Sequence, residues 1–319
     1  MSKMSTDLVR HALNGPTMGT RWSALFFSDS SVDTVQLRAE LQAAVDAVDR
    51  QMSTWNTDSD LMRLNAAPIE EWRPLPFHMV RVLGLGLAIG RASGGAFDVG
   101  MGEAVEAWGF GRTDADPLAI RAAMDHAHLP THDILDLANG QARKRAPLSL
   151  DLNGIAKGYG VDLLADVLEN HGVSNALVGI DGEMCALGHR PDGTAWTIAI
   201  EAPDYKKRTP FSMLALEDAA VATSGDYRHW ITVKDRRLSH TMDPARGAPL
   251  LQAPASVTVI APTCAEADAW ATALMVMGVE EGLRFAQQAK LQALFLTRQP
   301  DGTVQSVGTG PLFGVADRN

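Results

Sequence analysis

Cysteine is nearly absent: Cys185 and Cys264 are the only two in 319 residues, and neither sits in a CxxC or other metal-ligand spacing. This argues against a zinc site or a dithiol redox centre and leaves two free, partly buried thiols as the expectation. No apolar run reaches the roughly 18 residues that a membrane-spanning helix requires. Met1 to Gly15 has no apolar h-region and no cysteine, so neither a signal peptide nor a lipoprotein anchor is written there. The chain is expected to be cytoplasmic, export with a leader removed being the alternative. Positive charge is in deficit, with 28 basic against 38 acidic residues and a net charge of −10, which argues against a general nucleic-acid or anionic-membrane surface. The short runs Lys206 to Arg208 and Arg143 to Arg145 read as solvated loops or hairpins. Gly15 to Gly19 holds no Walker lysine and no GxGxxG follows a strand, so the standard nucleotide-binding fingerprints are missing.

What is there is globular composition, 46% hydrophobic and 21% charged, with length enough for one large domain or two intimate subdomains. Residues 1–14 are expected to form a flexible extension and residues 15–319 the domain. Met18 to Phe27 alternates as a strand, and Leu37, Leu41, Val45, Val48 and Met52 recur at helical spacing. Pro76 to Ala92 and Pro117 to Ala127 read as helices, and Asn139-Gly140 marks a hairpin between Asp133 to Leu137 and Gln141 to Arg145. From Leu148 the expected order is strand, helix to about Glu169, then strands at Ala176 to Ile180, Trp196 to Glu201, Met213 to Leu216 and Trp230 to Lys234, arranged as a central meander. A β-branched run at Ser256 to Ile260, helices at Ala265 to Met277 and Glu280 to Ala289, and a strand at Ala293 to Thr297 follow. The mixture predicts an α+β fold with mixed or antiparallel sheets and packed helices, not a regular βαβ array.

Two segments carry chemistry. In Asp151 to Gly158 an apolar run turns through glycine into a helix, a junction that leaves backbone N–H groups unpaired beside Lys157 and favours phosphate. Asp151 there either accepts from a ligand or helps hold a cation. In Ala265 to Met275, Asp268 and Thr272 fall one turn apart on a helix face. A carboxylate and a hydroxyl so placed are hard oxygen ligands suited to Mg²⁺, which fills the rest of its shell with phosphate and water. The plainer alternative has Asp268 favouring the helix dipole and Thr272 packing as a small residue.

Elsewhere Trp55 reads as a core tryptophan or a stacking face for a planar ring. Ala96-Phe97-Asp98 offers an aromatic edge and an acceptor, or a plain turn carboxylate. Thr223 to Tyr227 and Ser239 to Pro244 set hydroxyls, a histidine and carboxylates near turns, Asp243-Pro244 starting one that Gly247 completes. His126, His128 and His132 read as surface histidines, since no ligand pattern completes a site around them.

Met18-Gly19-Thr20, Met52 to Trp55, Gly95 to Asp98 with Trp108 to Gly111, Asp151 to Gly158, Ala222 to Tyr227, Ser239 to Gly247 and Asp268 to Thr272 together resemble the ApbE family of FAD:protein FMN transferases. They fall in family order over about residues 15–300. The resemblance implies a T-fold-related architecture and an enzyme that binds FAD with Mg²⁺, transfers FMN to a Thr or Ser hydroxyl of an acceptor flavoprotein and releases AMP. It implies Asp268, Thr272 and the Gly154 carbonyl as metal ligands. Met18, Trp55, Ala96, Phe97, Asp98, Asp151, Lys157 and Met242 would contact FAD, with Trp55 where tyrosine is commoner. Lys157 would neutralise pyrophosphate charge, and His240 is the candidate base for the acceptor hydroxyl, its ordinary pKa lying near neutrality. The chain departs from the family at Asp181-Gly182, where paired glycines are usual, and at Gly100 and Glu103, where Thr and Pro are common. Two alternatives stay open: Mg²⁺-dependent FAD hydrolysis to FMN and AMP, and a carrier that binds FAD without turnover.

Overall fold

Alternation along Thr20–Ser28 sets the frame of the molecule, because Trp22, Ala24 and Phe26 are buried on one side while Leu25 and Phe27 point to the other. The computed structural model describes residues 8–125, 128–205, 207–228, 230–233 and 236–314. Eight strands form one sheet: β1 (Val9–Thr17), β2 (Thr20–Ser28), β3 (Ala176–Ile180), β4 (Glu183–Leu187), β5 (Ala219–Gly225), β6 (Ser256–Ala261), β7 (Gln292–Arg298) and β8 (Val304–Thr309). They lie side by side in chain order, and every neighbouring pair is antiparallel. The expected α+β class with antiparallel sheet holds. Residues 9–14, expected in a flexible extension, instead form most of β1, whose full length pairs with β2 from Val9↔Ser28 to Thr17↔Thr20. Residues 1–7 lie outside the described residues.

Four long helices matter to the site: α1 (Thr34–Met52), α2 (Phe77–Ala92), α3 (Ala156–Asn170) and α4 (Cys264–Gln288). Asp33 caps α1 by accepting from Val35 and Gln36 N–H groups, and its stripe Leu37, Leu41, Val45 joins Trp22, Phe26, Val178, Ile180 and Leu164 in one core. The opposite face of the sheet is covered by a separate hairpin, Trp196–Glu201 with Pro210–Leu216. Its Trp196, Ile198, Leu214 and Leu216 pack on Ala186, Val221, Ile260 and Leu296. The central meander expected across these strands is therefore corrected: this hairpin and the Trp230–Val233/Arg236–Ser239 pair stand off the main sheet.

Leu148 to Leu152 is not a strand. Leu150 and Leu152 are buried as their apolar character demands, but only an isolated bridge, Met101↔Ser149, forms there. The side chain of Asn65 pairs both backbone groups of Leu150 instead, donating to its carbonyl at 3.0 Å and accepting from its N–H at 2.8 Å. Backbone groups buried without a ladder need such partners.

The break expected between Met277 and Glu280 is a reversal at Gly278, where φ is +77°. Its two legs pack so closely that a Cβ on Gly282 would stand 3.1 Å from the Leu274 carbonyl oxygen. A straight helix between β6 and β7 would deliver the chain to the far end of the sheet and favour a parallel strand; the reversal returns it for an antiparallel one.

The start of α4 is held by α3. Asp162 accepts from the N–H groups of Cys264 (2.6 Å) and Ala265 (3.0 Å), two of the donors a helix start leaves unpaired. Burial raises the Asp162 pKa to about 6, against those two hydrogen bonds. Because the folded value lies above the unfolded one, the stability from this titration is full below about 3.8 and is lost as pH rises through about 6. Asp162→Ala should therefore cost about 1–3 kcal/mol in urea unfolding, with the deficit narrowing as pH rises through that window.

Candidate functional site

Both tight turns at one end of the sheet use residues with positive φ. Met18 (φ +44°) and Gly19 (φ +72°) link β1 to β2, and Asp181 (φ +51°) and Gly182 (φ +110°) link β3 to β4. Turns of this handedness match strand twist. Met18 is thus a turn residue, not the start of a strand, and its methyl lies against α3, 3.1 Å from where a Cβ on Gly160 would be. With the end of β5, the start of α3 and the first leg of α4, these turns border an open cleft of about 1420 Å³.

The residues expected to contact FAD, hold the metal or act as base all line that cleft: Met18, Trp55, Ala96, Phe97, Asp98, Asp151, Gly154, Lys157, His240, Met242, Asp268 and Thr272. Trp55 is 62% exposed on its wall, so the core reading of this tryptophan is corrected. It sits past the end of α1, where the Ser53 hydroxyl accepts from the Trp55 and Asn56 N–H groups. Phe97 is buried beneath Gly154, whose Cβ position would be 3.3 Å from the ring and 3.2 Å from the Thr272 hydroxyl.

Asp98 is committed to its own turn. Its carboxylate, 1% exposed, accepts from Gly100 N–H at 2.7 Å, Thr131 N–H at 3.0 Å and the Thr131 hydroxyl, and pairs with His128 Nε2 at 3.1 Å. Burial opposes the charge, yet these partners together hold its pKa below the usual carboxylate range. The segment offers the cleft backbone and ring more than a free carboxylate. His128, expected at the surface, is part of this lock; His126 lies outside the described residues. His240 stands edge-on to Phe110 at 6.4 Å between centroids. Its loop is anchored by Trp108, which donates to the Gly247 carbonyl at 3.1 Å, and by Met242 packed among Met101, Ala104, Val105 and Phe110.

The polar heart of the cleft joins four elements, α3, α4, β4 and β5. Asp268 on α4 accepts from Gly158 N–H in α3 at 3.1 Å, and the Thr272 and Ser224 hydroxyls are 3.1 Å apart. Lys157 Nζ donates to Glu183 Oε1 at 2.7 Å, with Asp181 Oδ2 at 3.8 Å. Burial works against the lysine's charge, but Glu183, Asp268 and Asp181 outweigh it and raise its pKa. Burial and the Glu183 carboxylate push Asp268 up to about 7. Asp151 is bound to Asn153 through both oxygens, at 2.7 and 3.0 Å. The buried pair Glu183 and Asp268 thus has the Lys157 ammonium nearby, and Glu183 Oε2 has no hydrogen-bond partner among the described residues.

An excess of buried negative charge beside hard oxygens is what a divalent cation relieves. Among the described residues no cluster of three or more His, Cys, Asp or Glu side chains could hold one. The donors to hand are the Asp268 carboxylate, the Thr272 hydroxyl and the Gly154 backbone, a set that fits Mg²⁺ completed by phosphate and water. Glu183 and the Gly158 N–H escaped the sequence reading. The only signal for Glu183 was a charge opening the apolar run Met184 to Leu187 just after a turn.

The model of the ApbE family matches residues 18–295. The FAD:protein FMN transferase of Klebsiella pneumoniae is 36% identical over 298 residues, 91% of this chain and 85% of that one. Among solved structures, the apo flavinyl transferase ApbE of Pseudomonas stutzeri superposes with a TM-score of 0.86 at 36% identity, covering 97% of this chain and 98% of that one. The flavin transferase ApbE of Vibrio cholerae gives 0.83 at 32%, covering 95% and 97%.

Proposed function

We propose, from the premise that the chain belongs to the ApbE family, that this enzyme is an FAD:protein FMN transferase that uses Mg²⁺, modifies a Thr or Ser hydroxyl of an acceptor flavoprotein and releases AMP. The observation that carries the reading is the meeting, in one cleft of about 1420 Å³, of an exposed tryptophan, a half-buried lysine and an Asp/Thr oxygen pair. That space exceeds the roughly 300–1,000 Å³ of ordinary small-molecule sites, as a dinucleotide together with an acceptor segment requires.

In this reading Trp55, Met18 and Phe97 receive the flavin half, and Lys157 lies against the pyrophosphate. The acceptor oxygen attacks the phosphorus on the FMN side, the phosphoanhydride bond to AMP breaks, and AMP leaves with the electron pair. His240 takes the hydroxyl proton. Asp268, Thr272 and the Gly154 carbonyl would hold Mg²⁺, which would supply charge neutralisation at the phosphates. What the protein adds is positioning and fixed charge, which carry most of phosphoryl-transfer catalysis.

The test incubates the protein with FAD and an acceptor domain bearing a Thr or Ser flavinylation motif, with Mg²⁺ or with EDTA. Intact mass and AMP are read by mass spectrometry. A gain of one FMN phosphoester on the acceptor, matched by AMP and lost in EDTA, is expected. AMP without labelling of any acceptor would replace transfer with hydrolysis, and FAD binding with neither product would replace it with a carrier.

A further inference from the structure

Glu183 is a buried acid that the transfer chemistry above does not use. It opens β4 directly after the Asp181-Gly182 turn, its side chain is 5% exposed, and one oxygen touches Lys157 Nζ at 2.7 Å while the other has no hydrogen-bond partner among the described residues. Burying a carboxylate costs several kcal/mol unless it is well paired. A fold that keeps one here while leaving Oε2 unsatisfied is not using it to complete a hydrogen-bond network of its own. Among the described residues its ion-pair partner is the lysine.

Lys157 needs such a partner. It stands in the first turn of α3, and an ammonium on a flexible four-carbon stem is a poorly directed charge. With one N–H committed to a rigid strand residue, two remain for a ligand in the cleft. Asp181, by contrast, is at 3.8 Å, beyond hydrogen-bond distance, and lies within the turn. It adds charge without fixing direction.

We infer that Glu183 is the positioning residue for Lys157, holding its ammonium toward the pyrophosphate of FAD without touching the substrate itself. The inference rests on the reading of Lys157 as the pyrophosphate contact. It makes the buried carboxylate of β4 part of the binding machinery, through a lysine 26 residues before it in the chain.

A double-mutant cycle on FAD affinity tests it, read from flavin fluorescence at saturating Mg²⁺ so that no turnover is needed. Glu183→Met, Lys157→Met and the double variant are compared, with Glu183→Gln as the variant that keeps shape and an acceptor oxygen. Glu183→Met is expected to weaken FAD binding about tenfold, and Glu183→Gln less. In the Lys157→Met background the Glu183→Met change should alter affinity less than about twofold. The double variant should also melt above Lys157→Met alone, because it removes the stranded buried carboxylate. Equal weakening in both backgrounds would mean that Glu183 serves the fold and not the lysine. Unchanged affinity in either single variant would equally overturn the inference. AMP release and acceptor labelling are followed in parallel samples that contain the acceptor; a wild-type protein that binds FAD and transfers nothing refutes the transferase reading, while the affinity cycle still decides the role of Glu183.

Discussion

Asp268→Asn should lower FMN transfer by about a thousandfold or more while raising the melting temperature of the metal-free protein. The two effects share one cause. Asp268 is buried beside Glu183 with a single nearby lysine, and burial together with that neighbour pushes its pKa up to about 7. Asparagine fills the same space and can still accept from Gly158 N–H, so the contact between α3 and α4 survives while a repelling charge is removed. Catalytic residues often carry such a stability deficit. Calorimetry without metal, and AMP release with Mg²⁺, measure the two sides. Transfer within tenfold of wild type would remove Asp268 from the cation site, and a lower melting temperature would show its charge to be compensated in the fold.

Gly158→Ala should be among the most damaging single-methyl additions the chain can receive. A Cβ there would meet the Cys264 carbonyl oxygen at 2.4 Å, the Cys264 carbonyl carbon at 2.7 Å and Ala265 Cα at 2.9 Å. All three are backbone atoms at the start of α4, so no rotamer change relieves the contact. Overpacking of this kind costs about 3 kcal/mol, and more where backbone must shift. The helices forced apart are those carrying Lys157 and Asp268, so activity should fall further than stability alone explains. Gly160→Ala, two residues on, is the control. Its Cβ would meet only the ends of Ile180 and Met18, at 3.0 and 3.1 Å, and should cost about 1 kcal/mol. Urea midpoints for the two variants should differ clearly; coincident midpoints would mean that α3 and α4 can separate freely.

Local regularities were the readable part of this fold. The stripe of α1, the turn at Asn139-Gly140 and the break at Gly278 each follow from spacing or from a glycine, and the structure has them where they were expected. Long-range substitutions for secondary structure were not readable. Leu148 to Leu152 has the composition of a strand, but the backbone groups of Leu150 are paired by the side chain of Asn65, 85 positions away, and nothing local announces that. The same holds for exposure: spacing alone left Trp55 open between core and stacking face, and read His128 as a surface histidine although it pairs with the buried Asp98, because the cleft wall and the Asp98 lock are assembled from distant segments. The cleft residues emerged from the order of short motifs, not from any one of them. Glu183 emerged from neither, since a strand pattern records which face a side chain takes and not what waits for it there.

A sheet whose strands follow chain order also has a direction in time. On the ribosome, Met18, Trp55, Phe97 and Lys157 are synthesised well before Asp268 and Thr272, which ride on the helix preceding β7. At about 5–20 residues per second, the interval from Lys157 to Asp268 is on the order of ten seconds. Through that interval a nascent chain has Trp55, Phe97 and Lys157 but lacks Asp268 and Thr272, the residues proposed to hold the cation. Competence to break FAD therefore arrives only after most of the molecule has left the tunnel.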